Sequence, residues 1–220
     1  MPAARSPDSS RIEDALAALS RALSEARTPW MVIGGIAVIA HGVQRMTTDI
    51  DAVIQGGAVP VAKLIRVLGK HRIGLRIRDA LAFAEKNLVL LARHQPTEVD
   101  LDLSFGWTEF EREALAARKS THYGKIRAPM ARVEELLVFK AIAGRPRDVD
   151  DAVTLLTLYP NIDLKRARAR VAALAELAEA PELALGLERI VRAAGKGPAP
   201  KKKAAPERRA QKKGRRAQKK

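Results

Sequence analysis

The sequence contains no cysteine and few aromatic residues. The absence of cysteine excludes a disulfide framework, a thiolate metal site and a cysteine nucleophile, and we expect a cytoplasmic protein. Aromatic residues make up 4% and hydrophobic residues 47% of the 220 residues, so Ala, Leu, Val and Ile must fill the core. No apolar run approaches the roughly 18 residues that a membrane-spanning helix needs, and no export signal is visible. We therefore expect a globular protein without a membrane partner.

Several common catalytic motifs are also absent. No GxxxxGK[ST] loop occurs, which argues against a P-loop ATPase. The four histidines are scattered without metal-ligand spacing, and no Ser, His and Asp order indicates a hydrolase. His41 lies in an apolar predicted helix, where a packed or hydrogen-bonded role is expected.

The positive charge is concentrated at one end of the chain. Residues 196–220 hold 12 of the 40 basic and one of the 25 acidic residues, so this segment carries +11 of the net charge of +15. Its prolines and lack of large apolar side chains predict a disordered tail. Such a tail can bind nucleic-acid phosphates without sequence preference, or can serve only to increase solubility.

The apolar patterning predicts a mixed sheet followed by helices. Residues 30–54 indicate a strand, a glycine turn, a short helix and a second strand, and residues 87–93 and 98–105 indicate two more strands. A further strand is predicted at 122–129, and helices follow from Val133. We therefore predict an α+β fold with a core at 1–130, a C-terminal helical bundle at 131–195 and a disordered tail at 196–220.

Two glycines stand where the first strand turns into a helix. Backbone N–H groups and the positive helix end at such a turn can hold a phosphate, and Gly34 and Gly35 would let it approach closely. The alternative is a tight connection that binds nothing.

Acidic residues alternate with apolar residues on two predicted strands. Asp49 and Asp51 share one strand face, and Glu98, Asp100 and Asp102 share a face of the later strand. If the two strands are neighbours, three carboxylates can surround Mg²⁺, which prefers oxygen ligands. The alternative is a solvated strand face.

The run GGIAVIAHGVQRMTTDIDAVI resembles the signature of the DNA polymerase beta-like nucleotidyltransferase superfamily. Thirteen residues separate Gly35 from Asp49, which is within the span of that signature. His41, Gly42, Arg45 and Thr47 are similar to a stand-alone bacterial branch that includes AbiEii-type abortive-infection toxins. The resemblance covers about residues 29–158 if FKAIAGRPRDVDDAVTLL is included.

The resemblance implies roles for particular residues. Asp49, Asp51 and Asp102 would be metal ligands, and Asp102 or Asp100 would be the third catalytic acid and candidate general base. Asp102 is preferred because its spacing to Phe110 and Glu111 fits the superfamily better. The residues at the nucleotide would be Gly34, Gly35, Arg45, Thr47 and Lys140. Asp148 and Asp151 are instead expected to pair locally with Arg145 and Arg147.

The implied activity is transfer of a nucleoside monophosphate from a nucleoside triphosphate to an acceptor hydroxyl, with Mg²⁺ or Mn²⁺ as cofactor. The acceptor is open: the 3′ end of tRNA is favoured by the basic tail, and a protein side chain or a small molecule are alternatives. In a toxin setting, an antitoxin would be a further partner. The competing hypothesis is a non-catalytic nucleic-acid-binding protein that retains the fold.

Overall fold

The computed structural model describes residues 7–195, which form nine helices and seven strands. The predicted disordered tail at 196–220 lies outside the described residues. The helices are α1 (Pro7–Ala26), α2 (Gly34–Ala40), α3 (Val61–Lys70), α4 (Ala80–Asn87), α5 (Glu109–Ala117), α6 (Val133–Ala143), α7 (Pro146–Leu158), α8 (Leu164–Leu177) and α9 (Leu183–Ala193). The strands are β1 (Trp30–Val32), β2 (Asp49–Gln55), β3 (Ile73–Leu75), β4 (Val89–His94), β5 (Val99–Gly106), β6 (Lys119–Tyr123) and β7 (Ile126–Met130).

The strands form one mixed sheet in the order β3-β4-β5-β2-β1-β7-β6. The pairs β2/β5 and β1/β7 are parallel, and the other neighbouring pairs are antiparallel. A mixed sheet with flanking helices, followed by four further helices, is the predicted fold class, which is thus confirmed.

The sheet buries one of its two faces under α1 and α3. Ile50, Ile54 and Leu101 are completely buried and belong to the same cluster as Leu16 and Leu64 of these helices. Burying each such side chain contributes about 1.5 to 3 kcal/mol, so this face fixes the strand alternation. The polar residues of β2 and β5 must therefore point to the opposite face.

The helices after the sheet enclose a second apolar cluster. Leu137, Leu156 and Ile190, from α6, α7 and α9, are completely buried in it. Leu136 of α6 belongs instead to the cluster of the sheet, so α6 contacts both. The division of the chain at residue 130 stays a prediction.

Three local features differ from the sequence-based expectation. The single strand predicted at 122–129 is a hairpin, because Gly124 adopts a φ of +56° and reverses the chain between β6 and β7. Glu98 precedes β5 with a φ of +56°, so it does not share the strand face with Asp100 and Asp102. The short elements β3 and α4 were not predicted.

Two further observations concern the helices. Thr108 caps α5, accepting a hydrogen bond from the Glu111 backbone while the Glu111 carboxylate accepts one from the Thr108 backbone. Within residues 7–195, no helix has the length and apolar character needed to cross a membrane.

Candidate active site

The turn between β1 and α2 brings two glycines against side chains of the predicted site. Gly34 has a φ of +59°, and a Cβ atom there would lie 1.9 Å from Asp51 Oδ2. A Cβ atom on Gly35 would lie 2.5 Å from Thr47 Oγ1 and 3.0 Å from Arg45 Nη2. Glycine is therefore required at both positions by close approach, and at Gly34 also by backbone conformation.

Substituting Gly34 by alanine is expected to destabilise the protein more than the same change at Gly57. Both glycines have positive φ, which costs alanine about 1 to 2 kcal/mol, but nothing lies within 4 Å of a Cβ atom at Gly57. The alanine at 34 must also displace the Asp51 carboxylate, which adds about 1 to 3 kcal/mol. Urea unfolding of both variants measures this difference. Equal losses in the free energy of unfolding would contradict the predicted steric clash between a Cβ atom at position 34 and Asp51.

The parallel pairing of β2 with β5 brings four carboxylates together. The register places Asp49 beside Asp100 and Asp51 beside Asp102. Residues that alternate along a strand share a face, so all four acids lie on the sheet face opposite α1 and α3. All four are partly exposed. The sequence predicted the shared face on each strand, and the structure shows that the strands are neighbours.

The carboxylates influence one another electrostatically. The pKa of Asp51 is raised to about 6, first by burial and then by the negative charges of Asp49 and Asp102, against the opposing effects of Lys140 and Arg145. The pKa of Asp102 is also raised, first by burial and then by Asp49 and Asp100, although Arg76 opposes this. Asp49, Asp51 and Asp102 thus form an anionic group that a cation would stabilise.

Asp100 and Asp102 differ in their partners. The pKa of Asp100 is lowered, chiefly because Arg93 Nε donates a 2.6 Å hydrogen bond to its Oδ1 atom. Arg76 bridges the two acids, with Nη1 2.9 Å from Asp100 Oδ2 and Nη2 bonded to Asp102 Oδ1. The charge of Asp102, the register partner of Asp51, contributes to the raised pKa of Asp51, and the choice of Asp102 as the third acid stays a prediction.

The donor set suits Mg²⁺, which prefers carboxylate oxygens. Asp49, Asp51 and Asp102 lie on adjacent strands in register, and Gly34 leaves room for the Asp51 carboxylate at the turn. In the part of the chain from 7 to 195, no three His, Cys, Asp or Glu side chains converge in a ready-made metal cluster. Arg76 is bonded to Asp102 Oδ1, so a metal at Asp102 would use the other carboxylate oxygen or displace the guanidinium, and the metal-ligand roles stay predictions.

Thr47 orients one of these acids. Its hydroxyl is buried and donates a 2.8 Å hydrogen bond to Asp49 Oδ1. The role of Thr47 at the nucleotide stays a prediction; in the structure its hydroxyl contacts the Asp49 carboxylate. This bond holds the Asp49 carboxylate in one orientation beside the glycine turn.

Lys140 lies buried between two carboxylates of α7. Its Nζ atom is 2.6 Å from Asp148 Oδ1 and 2.9 Å from Asp151 Oδ2. Asp151 also forms an ion pair with Arg45 Nη1. Arg145 pairs with Asp148 as expected. The expected local pair of Asp151 with Arg147 is wrong, because the Asp151 carboxylate contacts Lys140 of α6 and Arg45 before β2 instead.

Comparisons with known proteins identify the fold. No family model and no curated protein matches this sequence. A solution structure of the antibiotic-resistance factor ANT(2'')-Ia aligns with 78% of this chain and 96% of its own, at 20% identity and a TM-score of 0.51.

Two further structures align with lower scores. The nucleotidyltransferase-like antigenic protein of Paracoccidioides brasiliensis has 14% identity, a TM-score of 0.48, and coverage of 84% of this chain and 94% of that one. A crystal structure of ANT(2'')-Ia with adenylyl-2''-tobramycin has 16% identity, a TM-score of 0.47, and coverage of 83% and 98%. The alignment with the solution structure shows that this chain has the same fold as ANT(2'')-Ia.

Proposed function

We propose that the protein transfers a nucleoside monophosphate from a nucleoside triphosphate to an acceptor hydroxyl and releases pyrophosphate. The observation that supports this most directly is the juxtaposition of Gly34 with Asp51, which itself pairs in register with Asp102. A phosphate-binding turn beside three carboxylates is the arrangement that phosphoryl transfer with a divalent metal requires.

Each part of the site has a role in this proposal. The backbone at Gly34 and Gly35 binds the triphosphate, and Asp49, Asp51 and Asp102 hold Mg²⁺ or Mn²⁺. The metal, when bound, neutralises charge on the transferring group and lowers the pKa of the acceptor hydroxyl. The acceptor oxygen bonds to the α-phosphorus while the bond to the pyrophosphate oxygen breaks, and Asp102 accepts the hydroxyl proton. Because Arg76 is bonded to Asp102 Oδ1, the proton would go to Oδ2, or the guanidinium would move aside.

We favour a nucleic-acid acceptor, in particular the 3′ end of tRNA. The support is the charge of +11 on residues 196–220, which would raise the local concentration of RNA. The resemblance to AbiEii-type toxins supports a place in a toxin-antitoxin system. A small-molecule hydroxyl is the second candidate acceptor, because the structural neighbour ANT(2'')-Ia is described as an antibiotic-resistance factor.

Incubation of the protein with each of the four α-labelled nucleoside triphosphates, Mg²⁺ and total RNA tests the proposal. We expect one nucleotide to label an RNA band the size of tRNA, with equimolar pyrophosphate release and no labelling in EDTA. Labelling of a polyhydroxylated small molecule but not RNA would support the second acceptor. Absence of label from all acceptors, with RNA binding unchanged in an Asp49→Ala, Asp51→Ala variant, would favour the non-catalytic binder.

A further inference from the structure

The N-terminal end of α7 packs against the segment that precedes the catalytic strand β2. Arg147 donates a hydrogen bond to the Met46 carbonyl, and Asp151 forms its ion pair with Arg45. Arg45 Nη2 in turn lies next to Gly35, at 3.0 Å from the position of a Cβ atom there. This packing brings the basic residues of α6 and α7 to the side of the glycine turn.

Lys140 of α6 and Arg45 before β2 are already neutralised by carboxylates inside the protein. The Lys140 side chain is 7% exposed and contacts both Asp148 and Asp151. The Arg45 side chain is 14% exposed and contacts Asp151. Moving either group onto a substrate phosphate would take a cation away from the buried carboxylates Asp148 and Asp151, which is costly. Both are therefore better suited to hold the site together than to follow a substrate.

Arg145 differs from both in its exposure. Its side chain is 77% exposed, although its Nε atom donates a 2.7 Å hydrogen bond to the buried Asp148 carboxylate. Within residues 7–195, its terminal Nη1 and Nη2 atoms make no hydrogen bond or ion pair. The guanidinium is thus held at one nitrogen and presents the other two to solvent.

The exposed guanidinium also lies within electrostatic reach of the predicted metal ligands. Hydrogen bonding and charge at Asp148 raise the pKa of Arg145, and the charges of Asp51 and Asp49 add to this effect. Arg145 in turn lowers the pKa of Asp51. Its charge therefore acts on the carboxylates that are predicted to bind the metal beside the triphosphate.

We infer that Arg145 binds the triphosphate of the substrate nucleotide, with its two terminal nitrogens donating to phosphate oxygens. This inference rests on the proposed function and assigns it a residue that the sequence placed only in a local ion pair. A guanidinium can donate two parallel hydrogen bonds to one phosphate, which suits this geometry. Asp148, itself fixed by Lys140, positions the Nε side of the same guanidinium.

Calorimetric titration with Mg²⁺ and inorganic tripolyphosphate tests the inference without knowledge of the base or acceptor. We expect Arg145→Gln to weaken tripolyphosphate binding about tenfold, the effect of one charge-assisted contact, and Arg145→Lys to recover part of it. Arg66→Gln removes the same charge from an exposed position on α3, on the sheet face opposite the carboxylates, and is the matched control, with an expected change below about twofold.

The outcomes separate the inference from the proposed function. Wild-type protein that binds no tripolyphosphate with Mg²⁺ would contradict the proposed function itself. Wild-type binding that is unchanged in Arg145→Gln, or weakened equally by Arg66→Gln, would overturn the role of Arg145 alone. Because the Arg145 side chain is largely exposed, the thermal midpoint of its variants should remain near that of the wild type, so that a loss of binding reports the contact.

Discussion

Replacing Asp51 with asparagine is expected to lower nucleotidyl transfer on the order of a thousandfold while making the folded protein more stable at pH 8. The loss of transfer follows from removing a charged metal ligand at the glycine turn. The gain in stability follows from removing a charge that burial and neighbouring carboxylates destabilise. The two effects have opposite signs, so an inactive variant cannot be explained by misfolding.

The pKa of Asp51 determines the pH dependence of this gain. The folded-state pKa of about 6 lies above the reference value of 3.8, so the unfolded chain releases the proton more readily. The stability contributed by protonated Asp51 is fully present below pH of about 4 and is lost as pH rises through about 6. Asparagine avoids this loss, which is about 1 to 3 kcal/mol at pH 8 and close to zero at pH 4.

Urea unfolding in EDTA at pH 4 and pH 8, together with the labelled-nucleotide assay, measures both effects. Asp150→Asn is the matched control, because Asp150 is exposed on α7 and its variant should change neither readout. Transfer by Asp51→Asn within tenfold of wild type would contradict the role of the carboxylate. An equal change in stability at both pH values would contradict its raised pKa.

The central part of the site could be predicted because its pattern is local. The alternation of Asp49 and Asp51 with apolar residues determines which face of β2 they occupy, since the other face is completely buried. The glycine turn is equally local. The pairing of Asp51 with Asp102 is different, because parallel register depends on how strands 50 residues apart pack, and spacing alone does not determine it.

The residues that sequence analysis missed act through long-range contacts. Arg76 follows β3, an edge strand of three residues that is too short to show an alternating pattern. Its backbone N–H bonds to Leu91, which pairs with Asp102, so a row across three strands brings its guanidinium to the acids. In the sequence, Arg76 is only an arginine near a short strand that was not predicted, so nothing there points to its contact with the acids. The Arg45 and Asp151 pair, 106 residues apart, left no signal.

The buried position of Lys140 leads to the second large expected effect. Replacing Lys140 with methionine preserves the length of the side chain but leaves Asp148 and Asp151 without the cation between them. We expect a loss of about 3 kcal/mol in the free energy of unfolding at pH 7, because Asp148 then keeps the exposed Arg145 and Asp151 keeps Arg45, which compensate the two buried charges only in part. Arg145→Gln, which removes the exposed partner of Asp148, should cost less than about 1 kcal/mol.

The pH dependence separates this electrostatic loss from lost packing. In the wild type, hydrogen bonds from Lys140 and Arg145 oppose burial and lower the pKa of Asp148, so its favourable contribution is present above about pH 4 and disappears in acid. In Lys140→Met the buried carboxylates have higher pKa values and take up protons as pH falls, so the deficit relative to wild type should shrink towards pH 4. Packing loss alone would give a deficit that does not change with pH.

A second substitution, at Asp148, tests whether the instability of Lys140→Met comes from the charge of the buried carboxylates. Adding Asp148→Asn to Lys140→Met removes one of the two partly compensated buried charges, so the double variant should be more stable than Lys140→Met alone, by about 1 to 3 kcal/mol at pH 7. Urea unfolding of the two single variants and the double variant completes the cycle. Strictly additive losses would mean that Lys140 and Asp148 do not act as a pair. The predicted non-additivity would identify Lys140 as the residue that holds α6 and α7 together behind the site.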